Sequence, residues 1–134
     1  MTSTYLYNQT WHQERDRIGS LEELFDASTK HNLDDLGLCP GWTCLEVGCG
    51  AGSIANWLAD RVGPSGRVVA TDIDTRFMDG HRRHNLEVLR HDLLSDPLEP
   101  STFDLAHVRA LLEHLGEERE RALRSLVAAV KPGG

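Results

Sequence analysis

The chain has 134 residues, 40% hydrophobic and 26% charged. That is enough for one ordinary globular domain and excludes collagen, a long disordered tail and a disulfide-packed mini-protein. The net charge of −7 repels phosphate backbones, so no nucleic-acid partner is expected.

The first 40 residues read as a helical arm or lid. Tyr5, Tyr7 and Trp11 give an aromatic stretch without a clear period, and Met1 to Thr10 lacks the basic-then-apolar pattern of a leader. Ser20-Leu21-Glu22-Glu23 has the capping-box form, which predicts a helix start at Ser20. Leu21, Leu24 and Phe25, then Leu33 and Leu36, make its apolar stripe, and Gly37 its stop.

Past Pro40-Gly41 the pattern changes. Thr43 to Val47 reads as a buried strand. Three glycines follow, and Ile54, Trp57, Leu58 and Val62 then mark a helix face that Gly63-Pro64-Ser65-Gly66 breaks. Val68 to Thr71 is a second strand, and Asp74 to Met78 a short helix that Gly80 ends. Leu86 to Leu89 is a third strand and Phe103 to Val108 a fourth. Leu123, Leu126, Val127 and Val130 define the last helix. Glu117 and Glu118 near its start and Lys131 near its end suit its dipole. This order predicts an α/β fold, a doubly wound parallel sheet with strand one inside it. No apolar run approaches the ~20 residues that span a bilayer, so no membrane is expected.

The informative stretch is Glu46-Val47-Gly48-Cys49-Gly50-Ala51-Gly52-Ser53. It joins a strand to a helix, the context of a nucleotide-binding turn. Gly48 and Gly50 permit a tight turn and close approach of backbone to ligand. The spacing is GxGxG, so the dinucleotide fingerprint fails at Ser53. Asp72 stands 20 residues beyond Gly52, at the tip of the second strand. A carboxylate there is placed to accept from both hydroxyls of a ribose; the plain alternative is a helix cap. Asp92, at the same edge of the sheet, is placed to accept from an exocyclic adenine amine, or is an ordinary loop acid.

LEVGCGAGS, ATDID, RHDLL, FDLAHVRALLEHL and the final KPGG together resemble class I S-adenosylmethionine-dependent methyltransferases of the small-molecule type. The resemblance covers roughly residues 41–134 and implies a Rossmann-like, cofactor-binding domain there. It implies that Gly48, Cys49, Gly50 and Gly52, led by Glu46, pack under the methionine and ribose parts of S-adenosyl-L-methionine. It implies further that Asp72, followed by Ile73, holds the ribose hydroxyls, that Asp92 and Leu93 take the adenine, and that His107 and Arg109 approach the methionine end. Such domains carry seven strands in the order 3-2-1-4-5-7-6. Only strands 3-2-1-4 are present here and strands five to seven are absent. The expectation is a fragment whose exposed strand-four edge self-associates.

The cofactor brings an activated methyl, so the protein must align an acceptor and exclude water. No metal is implied and the catalytic residue is not assigned. His107 and His114 are candidate bases, or structural histidines. Arg109 pairs either with the cofactor carboxylate or with Glu46. Cys49 has no neighbouring base and is not read as a nucleophile. Arg76, Arg82 and Arg83 with His81 and His84 read as a solvated basic face. Cys39, Cys44 and Cys49, with no CxxC pair, read as free thiols of a reducing, cytoplasmic compartment. The leading expectation is methyl transfer to a small-molecule acceptor. The alternatives are a catalytically silent nucleotide-binding module or an NAD-dependent oxidoreductase.

Overall fold

The structure is a computed structural model that describes residues 11–80 and 83–134. Tyr5, Tyr7, the Trp11 side chain, His81 and Arg82 lie outside the described residues. In chain order the elements are helix α1 (Trp11–Asp35), strand β1 (Thr43–Val47), helix α2 (Ser53–Val62) and strand β2 (Arg67–Asp72). Strands β3 (Leu86–Arg90) and β4 (Leu105–Val108) and helix α3 (Arg119–Ala129) follow. Short 3-10 turns cover Arg76–Met78, Leu112–His114 and Gly116–Glu118.

The four strands form one parallel sheet in the order β3-β2-β1-β4. Alternation along each strand divides the core between the two faces. Cys44 of β1 and Val68 and Ala70 of β2 face α2, which contributes Ile54, Ala55, Leu58, Ala59 and Val62. Leu45, Val47 and Val69 face the other way, against Ala122, Leu126 and Ala129 of α3. Helices on both faces make this the doubly wound arrangement, in its Rossmann-like form. Among the described residues, no helix is long and apolar enough to cross a membrane.

Several expectations are corrected. No helix starts at Ser20: α1 is continuous from Trp11 to Asp35, and Ser20 is an exposed residue within it. Its inward stripe runs Glu14, Ile18, Leu21, Glu22, Phe25, Thr29, Leu33, at steps of one, three and four residues. Leu24 and Leu36, expected on the stripe, are 71% and 66% exposed. Gly37, with a φ of 88°, does end the helix, its amide donating to the Asp34 carbonyl at 3.0 Å.

At the other end, β4 begins at Leu105, not Phe103. Phe103 makes an isolated parallel bridge with Val130, which leaves the last helix as extended chain. Leu123 and Val127, placed on the buried face of that helix, are 47% and 65% exposed. The face that packs on the sheet is Ala122, Leu126 and Ala129, rotated from the expected one. The short helix after β2 is a single 3-10 turn, Arg76–Met78, not a helix from Asp74.

Gly52 shows why this turn requires glycine. It caps α2 at φ 91°, and a Cβ there would lie 2.2 Å from the Met78 sulfur. The left-handed backbone strains any residue with a Cβ, and the Met78 thioether would also have to move aside.

Candidate functional site

A cavity of about 620 Å³ opens along the carboxyl edge of the sheet. That is the size of a small-molecule or cofactor site, at the edge where doubly wound sheets bind ligands. Its floor is the turn between β1 and α2. The Gly48 and Cys49 amides donate to the Thr71 carbonyl at 2.8 and 3.0 Å, pinning the turn to the end of β2. Of the expected site residues, Glu46, Gly48, Cys49, Gly50, Asp72 and Ile73 line the cavity, as do Asp92, Leu93 and Arg109. Gly52 and His107 do not. Gly52 packs against Met78, and His107 stands beside Glu46.

Asp72 is tied into the turn. Its Oδ2 accepts from the Gly50 amide at 3.0 Å and its Oδ1 from the Asp74 amide at 3.1 Å. Burial pushes its pKa up, and those amides pull against the rise. Each carboxylate oxygen keeps a further lone pair for a ligand. Asp92 is exposed, and its Oδ1 accepts from the Leu94 amide at 3.0 Å. Leu93 is buried at the cavity wall and Ile73 half exposed.

Glu46 lies on the central strand and is 5% exposed. Its Oε1 is 2.5 Å from His107 Nδ1. Burial is the largest influence and raises the Glu46 pKa, while the hydrogen bond and charge of His107 and then the charge of Arg109 oppose it. His107 is thereby a partner of Glu46 with no face on the cavity. Arg109 does not pair with Glu46: it meets Asp26 of α1 at 3.0 Å and donates to Thr29 Oγ1 at 2.9 Å. Burial is the largest cause holding both buried thiols protonated; it pushes Cys44 up to about 12 and raises Cys49 as well.

Sequence reasoning read the first 40 residues as an arm or lid but did not place the side chains of the wall that α1 supplies. Ile18, Leu21 and Phe25 line the cavity, with Glu14 and Arg17 paired beside them. Glu22 accepts from the Ser53 amide at 3.1 Å, so a carboxylate of α1 serves the start of α2. Leu111, His114 and Leu115 after β4 complete the lining. Ala110, just before them, adopts φ 57°, an unusual conformation for a residue with a Cβ. The one signal for the α1 wall was its spacing of three and four residues through polar positions.

The model of a family described as methyltransferase domain matches residues 44–134. An uncharacterised 37.1 kDa protein from a transposon of Streptomyces fradiae is 32% identical over 129 residues, 89% of this chain and 37% of its own length. The ubiquinone/menaquinone biosynthesis C-methyltransferase UbiE of Ectopseudomonas mendocina is 30% identical over 87% of this chain and 47% of its own length. The crystal structure of a SAM-dependent methyltransferase from Aquifex aeolicus superposes with a TM-score of 0.71 at 27% identity. That match covers 88% of this chain and 68% of the other. The chain thus spans less than half the length of these two curated relatives. Its motifs, its strand order and the match over its whole sheet agree: the chain belongs to the methyltransferase domain family, of the class I S-adenosylmethionine-dependent type.

Proposed function

We propose that the cavity holds S-adenosyl-L-methionine and that the whole protein transfers its methyl group to a small-molecule acceptor. The observation that carries this reading is the 3.0 Å bond from the Gly50 amide to Asp72, which sets an acid at the lip of a glycine-rich turn. The residues present fit the cofactor. Asp72 suits the ribose hydroxyls, and Asp92 with Leu93 the adenine. The Ser53 hydroxyl, buried without a hydrogen-bond partner at the start of α2, suits the polar methionine end with Glu46 and the Gly48–Gly50 backbone. When bound, the cofactor supplies an electrophilic sulfonium methyl. The chain's own contribution is to fix that methyl against an acceptor and to keep water out, with α1 as the roof.

An NAD-dependent reaction also needs a ribose-binding acid, so the two readings are separated by ligand. The GxGxG spacing and the family match favour S-adenosylmethionine. A saturating ligand near 100 times its Kd should add about 2.7 kcal/mol to the domain's stability. Thermal unfolding with each compound is expected to show stabilisation by S-adenosylmethionine and none by NAD. Stabilisation by NAD alone overturns the assignment.

Two coarser proposals go with it. The unpaired state of Cys39, Cys44 and Cys49 supports a cytoplasmic location. β4 has one neighbour in the sheet, with exposed Leu123 and Val127 on α3 nearby, which supports self-association along that edge. Sedimentation velocity is expected to show mass rising with concentration; a monomer throughout refutes the edge contact.

A further inference from the structure

We propose that His114 is the base that takes a proton from the methyl acceptor, and that the acceptor is a small apolar compound bearing a phenolic hydroxyl. The inference rests on the proposed function and assigns the acceptor end of the same cavity.

The sheet order gives the cavity two ends. Asp72 closes β2 on one side of β1, and the segment from Arg109 to His114 leaves β4 on the other. The ribose acid and His114 therefore flank the glycine turn from opposite sides. Nearly every other acid–base side chain along the cavity is already engaged. Glu14 holds Arg17, Glu46 holds His107, and Asp74 holds Arg76. Glu22 and Asp92 accept from backbone amides, and Asp72 is fixed as described. Arg109 is held by Asp26. His91 Nε2 is held by the Pro97 carbonyl; its buried Nδ1 has no hydrogen-bond partner, but His91 follows β3, at the end of the sheet farthest from β4 and beside Asp92. Among the described residues lining the cavity, His114 is exposed and has no side-chain hydrogen bond or ion pair. The Cys49 thiol is the other without a side-chain partner, and burial keeps it protonated.

The surroundings select the acceptor. Leu111 and Leu115 flank His114 in the chain, and Ile18, Leu21 and Phe25 face the cavity from α1. All three arginines on the cavity are paired, so an anionic acceptor finds no unpaired cation. A neutral apolar body with one ionisable hydroxyl is what remains. A phenol, at about 10, is acid enough to give its proton to a neutral imidazole. An aliphatic hydroxyl, near water's ~15.7, is too weak an acid for it. The charged groups around His114 are Glu113 in its own turn, Glu117 and Glu118 in the next, and Arg109 after β4. Glu14, Arg17 and Glu22 come from α1, and Arg121 of α3 is held by Glu118 and the Leu94 carbonyl.

The step balances. The phenolic O–H bond breaks and its proton goes to a ring nitrogen of His114. The oxygen lone pair forms the new O–CH3 bond, and the pair of the breaking S–CH3 bond stays on sulfur. The products are a methyl ether, S-adenosylhomocysteine and an imidazolium, which returns its proton to water.

The test uses the full chain with S-adenosylmethionine and four probes: phenol, 2-naphthol, 4-nitrophenol and cyclohexanol. Methyl ethers are expected from the phenols and none from cyclohexanol. His114→Ala and His114→Gln should lose about 10²- to 10⁴-fold with phenol. With 4-nitrophenol, already ionised in mildly alkaline buffer, the loss should be far smaller. Calorimetry should show both variants binding S-adenosylmethionine as the parent does. Equal losses with phenol and 4-nitrophenol overturn the role of His114. Cofactor binding with no phenol methylated overturns the acceptor class. No cofactor binding by the parent overturns the proposed function instead.

Discussion

Glu46→Ala is expected to destabilise the domain by about 3–5 kcal/mol, the cost of stripping one partner from a buried pair. The cost is high because Glu46 sits on β1, between β2 and β4, where water cannot replace it for His107. It is also a large share of the about 5–15 kcal/mol that a domain has to lose. The pH dependence has a definite sign. Burial raises the Glu46 pKa, so the folded chain holds this proton more tightly than the unfolded one. The stability it contributes is fully present below its ordinary value of 4.5 and fades as pH rises through the raised folded value. Glu46→Gln abolishes that titration. Urea unfolding at about pH 5 and pH 8 should therefore show the glutamine variant gaining on the parent as pH rises. A difference that stays constant would mean that Glu46 titrates as it does in water. Asp72 is raised for the same first reason, but it is present in both proteins and cancels.

Asp72→Ala should weaken S-adenosylmethionine binding by about 30- to 150-fold, or 2–3 kcal/mol. Two effects add. The ribose loses a charged acceptor, and the Gly50 and Asp74 amides lose the oxygens that fix the turn. Asp92→Ala should cost less than about tenfold, because an exposed carboxylate exchanges its bond for one to water. Titration calorimetry on both variants checks the ranking. Equal losses, or none at Asp72, would refute the assignment. Asp72→Asn should fall between parent and alanine, since its one carbonyl oxygen can serve only part of the acid's duties.

The sheet was legible because burial leaves a direct mark on strand sequence. Thr43–Val47 is rich in apolar and β-branched residues between glycine-containing turns, and the observed strand has the same limits. The glycine turn and Asp72 were legible because backbone freedom and an acid at a strand tip are written in residue type and spacing. The α1 wall was not. Its inward positions include Glu14 and Thr29, whose burial is satisfied by Arg17 and Arg109, the second being 80 residues away. Hydrophobic periodicity cannot register a buried polar residue whose partner is elsewhere in the chain. The same limit hid the Glu46–His107 pair, which forms only because β1 and β4 lie side by side. Leu123 and Val127 failed for the opposite reason. Apolar type alone does not say which of two adjoining helix faces meets the sheet.

The placement of α1 divides labour between two parts of the chain. On the proposed function, what would grip the cofactor lies at strand ends and in one turn, where each position answers to the sheet's geometry. What shapes the other side of the chamber is written into Ile18, Leu21 and Phe25, on a helix whose outward face is largely polar and exposed. Exchanging these three side chains alters the room offered to a guest without moving a single strand. On the proposed function, a change of acceptor would need edits only within one uninterrupted stretch of eight residues, with the strands left as they are.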